Sequence, residues 1–353
     1  MPLVDAIDRN ELGDTGRVGA NGYPSPPPSI QVREWTREEF LASRRAWQQL
    51  LASSDSDPLF SSWEWLVTWL QHHELPLGLE PRVFAASSGD QLMGAVAVHL
   101  RDAVSRPGIK TRRLELVGNA WRQSGAAMSE YVGFVLERNW AERAASALVE
   151  TLASLAEWDE FVVDNCPVQS VTFRTLLAAA RKYGWYVRHP DVMEAFSVDL
   201  PASMERFKRS LGRNTRDRVF SARRRVGKLG ILEERLAGFD DVEHALEALD
   251  ELHYQRWGWR GLRGVRGRFY RSFASHQIAA GFHPISLLTL DGKPFSACLN
   301  FRAGNVEYAV QSGFIEDIGR RISPGYLHIG YCMERAIRDG VSSFDLLGGT
   351  GKR

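Results

Sequence analysis

Apolar positions along the chain switch between period two and period 3.6. Residues 30–35 alternate and read as a strand, and Thr36 followed by Glu39 is a capping box opening a helix through Leu51. Asp57-Pro58 announces a second helix. Its Phe60, Trp63, Leu66, Val67, Trp69 and Leu70 recur at helical spacing, which assigns them to packing against a sheet rather than to stacking on a ligand. Residues 82–87 and 92–100 are expected to form a hairpin around Ser88-Gly89-Asp90, with glycine where the turn needs positive φ. Residues 114–117 and 131–136 read as further strands, Asn139 as the cap of a helix to about Ala156, and 161–164 as a buried strand. A helix from about Gln169 ends at Gly184, and 185–188 returns as a strand.

The same order then recurs. Residues 195–200 read as a strand, helices lie between 202 and 280, and 285–290 with 295–301 form a hairpin around Asp291-Gly292. A strand over 306–312, a helix from Ser323 to Gly340 and a buried strand over 344–347 complete the series. Repetition of the whole order predicts two copies of one α/β unit with a boundary near 189–194. The expected organisation is therefore a tail over 1–29, an N-terminal unit over 30–190 and a C-terminal unit over 191–353. The tail is rich in Gly, Asp and Asn and closes on Pro24-Ser25-Pro26-Pro27-Pro28, which has little to bury.

Composition narrows the function classes. The chain of 353 residues is 44% hydrophobic and 25% charged, with formal net charge +1, so no bulk field draws it to DNA or to membrane. The three cysteines, Cys166, Cys298 and Cys332, form no CxxC pair, and the histidines form no HxxxH or HExxH pattern. No metal is assigned from these spacings. Without an apolar run of membrane-spanning length or a basic, apolar leader, a cytoplasmic location is expected.

Local chemistry concentrates in the C-terminal unit. Ser323 reads as N-cap and Pro324 as the first helical residue, and Gly325 leaves the first-turn amides uncovered, so this helix start is the best candidate cradle for a phosphate. The alternative is an ordinary cap whose glycine lets a neighbouring strand approach. Residues 206–228 carry ten basic residues against one acid, Asp217. A solvated helix face is the bland explanation; an anionic acceptor, cofactor phosphates, tRNA or an anionic membrane surface are the functional ones. Arg213, Arg216, Arg223 and Arg224 are its candidates, with Trp257 beside a glycine- and arginine-rich segment through Arg268 that reads as a flap. Asp345 lies on a short apolar strand where burial would raise its pKa towards that of a general base, although Asp at a strand end also holds the next turn. Glu307 and Tyr308 face opposite sides of one sheet, and Tyr308 is a candidate proton donor to sulfur. Tyr331 and His328, on the cradle helix, are weaker candidates.

Several stretches together carry a family resemblance. They are Pro58-Leu59-Phe60-Ser61-Ser62-Trp63-Glu64-Trp65-Leu66 with Trp69, the arginine-rich run opened by Ser210-Leu211-Gly212-Arg213-Asn214, Arg256-Trp257, residues 308–314 followed by Ser323-Pro324-Gly325, and Phe344-Asp345-Leu346-Leu347-Gly348-Gly349. From about Ser29 onward the chain resembles the BioF2-like or CelD-like branch of the GNAT acyltransferases, which is related to the tandem-GNAT FemAB proteins. The resemblance implies an α/β (α+β) fold of tandem GNAT-like domains with mixed, mainly antiparallel sheets, the N-terminal one degenerate. It also implies acyl-CoA as donor, with Ser323, Gly325 and Tyr326 at its phosphates and Val310 to Ser312 along its pantetheine arm. Arg321 belongs to the loop Arg320-Arg321-Ile322-Ser323-Pro324-Gly325, which has one glycine at the turn where the family has two small residues.

The expected activity is N-acyl transfer to an amine of a sugar, lipid or polysaccharide precursor, catalysed by Asp345, Tyr308 and Glu307. Implied partners are a small-molecule or lipid-linked acceptor and an anionic membrane surface. FemAB-like transfer from charged tRNA and a non-catalytic role in exopolysaccharide or cellulose synthesis are the alternatives. Because the family continues with a helix and strand after 344–347, that strand is expected to be an edge with at most one neighbour, with Phe344, Leu346 and Leu347 buried.

Overall fold

The computed structural model describes residues 29–106, 108–120, 123, 125–188, 192–319 and 322–348. All of the expected tail except Ser29 lies outside the described residues, as does Arg321.

Strand β1 (Gln31–Trp35) enters α1 (Arg37–Ala42) through the capping box, with the Thr36 hydroxyl accepting from the Glu39 amide and the Glu39 carboxylate accepting from the Thr36 amide. The expected single helix breaks at Ser43, whose hydroxyl donates to the Phe40 carbonyl, and resumes as α2 (Arg44–Ala52). Asp57 does not open the next helix directly. Its carboxylate accepts from the Leu59 and Phe60 amides, which fixes a turn ahead of α3 (Trp63–Leu77), itself capped by Ser62.

The meander β2 (Glu80–Ser88), β3 (Gln91–Arg106) and β4 (Ile109–Leu116) follows as expected. The strand expected over 131–136 shrinks to β5 (Val135–Leu136), since Tyr131 takes φ 53 and breaks the extended run. Glu137, not Asn139, caps a 3-10 turn into α4 (Ala141–Ser154). β6 (Glu160–Val162) is half-buried rather than buried and pairs parallel to β4. α5 (Val171–Tyr183) ends at Gly184. Residues 185–188 are coil rather than strand, with the Trp185 ring packed on Trp158 and Tyr183.

The second sheet begins with β7 (Ala195–Asp199), followed by α6 (Met204–Ser210), α7 (Arg213–Arg216), a π-turn over Asp217–Ser221, α8 (Ala222–Val226) and β8 (Leu232–Leu236). Helices α9 (Val242–Trp257) and α10 (Gly264–Ala279) precede the meander β9 (Ile285–Leu290), β10 (Lys293–Ala303) and β11 (Val306–Phe314). α11 (Pro324–Arg338) and β12 (Ser343–Gly348) close the chain's described part.

Strand order is β1-β2-β3-β4-β6 in the first sheet, with β5 beside β3, and β7-β12-β11-β10-β9-β8 in the second. The partner of β1 in the repeat is thus β8, which pairs with β9 as β1 pairs with β2, and not the strand at 195–199. That strand, β7, lies antiparallel on the outer side of β12. The expectation of an edge with a single neighbour is therefore corrected, because a segment from earlier in the chain supplies the second one. Phe344 is fully buried, whereas Leu346 and Leu347 are half-buried.

One apolar core joins the two sheets' helices. The α3 indole of Trp65 meets the α10 rings of Phe269 and Phe273 at 4.8 Å each, and Trp69 lies fully buried beside it. The tryptophans of α3 are packing residues, as their spacing implied.

Candidate active site

β11 and β12 pair in parallel only from Val306 to Tyr308 against Ser343 to Asp345, and then part. The ladder between β10 and β11 jumps from Leu299 opposite Gln311 to Asn300 opposite Ala309, which leaves Val310 as the bulged residue. A bulge bends its strand and adds twist, and here the strand bends away from β12. The gap is a cavity of about 420 Å³ lined by Ala309, Val310, Gln311 and Ser312 on one side and Leu346 and Gly348 on the other. It runs through the sheet, from His253, Arg256 and Trp257 of α9 to Ile329 and Cys332 of α11.

The first turn of α11 lies one turn before Ile329 of the slot's lining and meets the end of β11 at Phe314. Ser323 occupies the cap position without a capping hydrogen bond from its side chain, so the Gly325 and Tyr326 amides owe nothing to it. Gly325 has a packing reason. A Cβ there would lie 2.5 Å from the Phe314 ring, so strand β11 ends against bare backbone. The Phe314 ring also carries the Arg256 guanidinium, 3.9 Å from the ring centroid and 4.3 Å from that of Trp257. Burial lowers the Arg256 pKa, and its nearest acid, Glu316, is 4.0 Å away. Arg218 of the π-turn lies over the Tyr326 ring at 5.6 Å. Sequence reasoning left Arg218 unnamed because its position beside Tyr326 depends on packing between segments over a hundred residues apart.

Tyr308 and Asp345 come together as register partners at the last paired position of β11 and β12, directly before the strands part. The Tyr308 hydroxyl donates to Asp57 at 2.8 Å, and the Tyr131 hydroxyl donates to Asp345 at 2.9 Å. Each half thus sends a phenol to the other half's carboxylate. Burial raises the Asp57 pKa to about 6 against the pull of its hydrogen bonds, and raises that of Asp345 likewise. Glu130, next to Tyr131, is raised to about 7 by burial and by the nearby charges of Asp164 and Asp345. Its carboxylate lies 3.3 Å from where a Cβ on Gly348 would stand, so it borders the slot. Burial and the neighbouring carboxylates push both phenols well above their ordinary range, which keeps them protonated. Asp345 also accepts from the Leu347 amide at 2.7 Å, holding the turn as its strand-end position suggested.

Glu307 does not join this group. It faces the other side of the sheet and is fully buried beneath α11, accepting from Asn300 at 2.8 Å and Arg302 at 2.9 Å. The geometry gives it an ion-pair role in the core and removes it from the candidate catalytic set. Asp57, Glu130 and Tyr131 replace it. No pattern within either unit marks them, since what gathers them is contact between the units.

The basic stretch divides. Arg223 is held by Glu334 at 2.6 Å and stacks on Tyr331, Arg216 donates to the Lys208 carbonyl, and Arg213 and Arg224 are exposed. The segment after Trp257 is pinned rather than flap-like: Asp250 accepts from the Leu262 amide and from Arg260 and Arg263, and the segment from Gly264 is helical. His328 is a core residue with its pKa pushed down to about 3 by burial, and its two ring nitrogens meet the hydroxyls of Ser286 and Ser296. The fold nevertheless brings donor atoms of Cys298, His328 and Cys332 within 4.8 Å of one another, a grouping that the sequence spacing did not announce. Among the described residues, no helix is long and apolar enough to cross a membrane.

Residues 213–352 match the family described as acetyltransferase (GNAT) domain. No curated protein matches the chain by sequence. Among solved structures the chain is similar to FemX, at 12% identity over 91% of this chain and 90% of that one, with a TM-score of 0.58. It is also similar to L-PGS from Bacillus licheniformis (12% identity, 88% and 78% covered, TM-score 0.47). A tandem GNAT protein from the clavulanic acid biosynthesis pathway is a third (12%, 92% and 91%, 0.45). The fold of the chain is mixed α/β and tandem GNAT-like.

Proposed function

We propose that the protein is an N-acyltransferase that takes an acyl group from acyl-CoA, held in the slot between β11 and β12, and passes it to an amine. The observation that carries this reading is the slot itself, open through the sheet just beyond the last paired residues of β11 and β12, Tyr308 and Asp345. The donor's pyrophosphate would meet the uncapped first turn of α11, with Arg218 and Arg256 as neighbouring cations, and its pantetheine arm would run past Val310 and Ser312. The thioester carbonyl would then lie beside Tyr308 and Asp345, where an attacking amine needs a proton acceptor. An amine of a sugar, lipid or polysaccharide precursor is the acceptor class, as in the BioF2-like or CelD-like branch that the sequence resembles.

The test is thermal unfolding with acyl-CoAs of increasing chain length, because a ligand that binds only the native state raises its apparent stability. A rise with at least one acyl-CoA is expected, and no rise with any of them would remove the donor assignment. Transfer from charged tRNA is the second reading, favoured by the exposed Arg213 and Arg224 on the basic stretch. It requires salt-sensitive tRNA binding that Arg213→Glu with Arg224→Glu abolishes.

A further inference from the structure

We propose that Asp57, a residue of the half outside the matched acyltransferase domain, is a positioning residue that orients Tyr308 and takes its proton during acyl transfer. This rests on the acyl-CoA reading above. The two oxygens of Asp57 have separate tasks. Oδ1 accepts from the Leu59 amide at 2.9 Å and the Phe60 amide at 2.7 Å, which is all that the turn requires. Oδ2 is left to face the second half, where it accepts from the Tyr308 hydroxyl at 2.8 Å. The Phe60 ring, two residues beyond Pro58, packs edge-on against the Tyr308 ring at 5.6 Å and fixes its plane. Tyr308 in turn is the last residue of β11 paired with β12, buried directly before Ala309, the first β11 residue of the slot's wall.

This direction of hydrogen bonding decides the chemistry. A phenol that donates to a carboxylate keeps its oxygen lone pairs for another donor, and the attacking amine is such a donor. As the amine nitrogen bonds to the thioester carbon, the C–S bond breaks and its electron pair stays on sulfur. The proton shed by nitrogen passes to the Tyr308 oxygen while the phenol proton passes to Asp57 Oδ2. Charge and protons balance: one thiolate is formed and one carboxylate is protonated. Asp57 then returns its proton to the medium. The groups facing Asp57 are Tyr308 of β11, Asp345 of β12 and, on the segment before β5, Tyr131; the anionic neighbour, Asp345, makes the carboxylate a stronger proton acceptor.

The experiment compares wild type with Asp57→Asn, Asp57→Glu and Tyr308→Phe in the full chain. Acetyl-CoA affinity is read by calorimetry, and thiol release from acetyl-CoA is followed against pH with glucosamine, ethanolamine and lysine as probe amines. Asp57→Asn is expected to lower kcat by about 100-fold or more with acetyl-CoA affinity unchanged, and to erase the limb of the pH profile near 6. Asp57→Glu is expected to restore part of kcat. Retention of both kcat and the limb in Asp57→Asn overturns the proposal, as does loss of acetyl-CoA affinity in step with kcat, which marks a purely structural residue. A wild type that binds no acetyl-CoA instead overturns the donor reading on which the proposal rests. A measurement that needs no acceptor backs these up: the infrared carbonyl band of the protonated Asp57 carboxyl, assigned from the Asp57→Asn difference spectrum. It should titrate near pH 6 and shift in Tyr308→Phe, and a band indifferent to Tyr308→Phe overturns the pairing.

Discussion

The two sheets part at equivalent places and fill the gap differently. In the second sheet, β11 and β12 diverge after Tyr308 and Asp345 around the cavity of about 420 Å³. In the first, β4 and β6 pair over only three residues and then part as well, but the chain's own residues 129–132 run between their continuations. Ser129 donates from its amide to the Gly118 carbonyl and from its hydroxyl to the same oxygen, while on the far side Asn165 donates to the Ser129 carbonyl and the Asn165 carbonyl accepts from Val132. Asn119 ties both sides, accepting from the Ser129 amide and donating to the Asp164 carbonyl. Gly118, at φ 108, has no room for a Cβ, which would lie 2.5 Å from the Ser129 hydroxyl. The plug has a second face. Its next residues, Glu130 and Tyr131, project to the second half's slot, so the segment that closes one gap forms a wall of the other.

The largest test of this asymmetry attacks the core that keeps the halves in register. Trp65→Ala removes the indole between Phe269 and Phe273 and is expected to cost about 3–5 kcal/mol in urea unfolding. It also removes the indole N–H bond to Ser129 at 2.7 Å, loosening the plug. A loss below about 1 kcal/mol would mean that the halves are held together elsewhere.

Next in size, making the open slot resemble the closed one should abolish donor binding. Val310→Trp sets an indole at the bulge, in the cavity, and is expected to weaken acetyl-CoA binding by about 100-fold, roughly 2.7 kcal/mol. Calorimetry on a variant with an unchanged circular dichroism spectrum decides it. Unchanged affinity would place the donor outside the slot.

A smaller effect is expected from opening the plug. Asn119→Ala leaves the buried Ser129 amide with the Gly118 carbonyl alone and removes the donor to the half-buried Asp164 carbonyl, at a cost of about 1–3 kcal/mol. Acetyl-CoA affinity should hold while kcat falls, because Glu130 and Tyr131 lose their support. Equal losses in both would show that the plug shapes the donor slot as well.

Legibility from sequence followed the range of the interactions. The capping box at Thr36, the Asp291-Gly292 hairpin and the α3 packing face are local patterns, and each has its expected place. Long-range pairing was not legible: β7 crosses from upstream to cover β12, and period-two alternation in 195–200 carries no information about its partner. The same limit applied to the site. Tyr308 and Asp345 could be singled out on their own strands, but Asp57 reads as a turn residue until Tyr308 is set beside it. Glu307 and Tyr308 were rightly assigned to opposite faces, while which face meets the other half is settled only by packing.

The smallest expected effect concerns the charge that the plug carries. Glu130 has its folded-state pKa raised from 4.5 to about 7 by burial, Asp164 and Asp345. Between those values the folded chain binds more protons at this site than the unfolded chain, so its contribution to stability is fully present below about pH 4.5 and is lost as pH rises through 7. Buried histidines act in the opposite sense: His73 and His99, each pushed down to about 4 by burial, cost stability as pH falls from 6.5 towards 4. Comparing wild type with Glu130→Gln cancels the histidines, which both proteins share. The full shift corresponds to roughly 3 kcal/mol, and partial solvent access reduces the expectation to about 1–2 kcal/mol. Glu130→Gln should therefore gain that much over wild type between pH 5 and pH 8, read as the change in the difference of their urea unfolding free energies. A difference that stays flat across this range would mean that Glu130 remains solvated, and the plug would then be a wall of the slot without a charge to offer it.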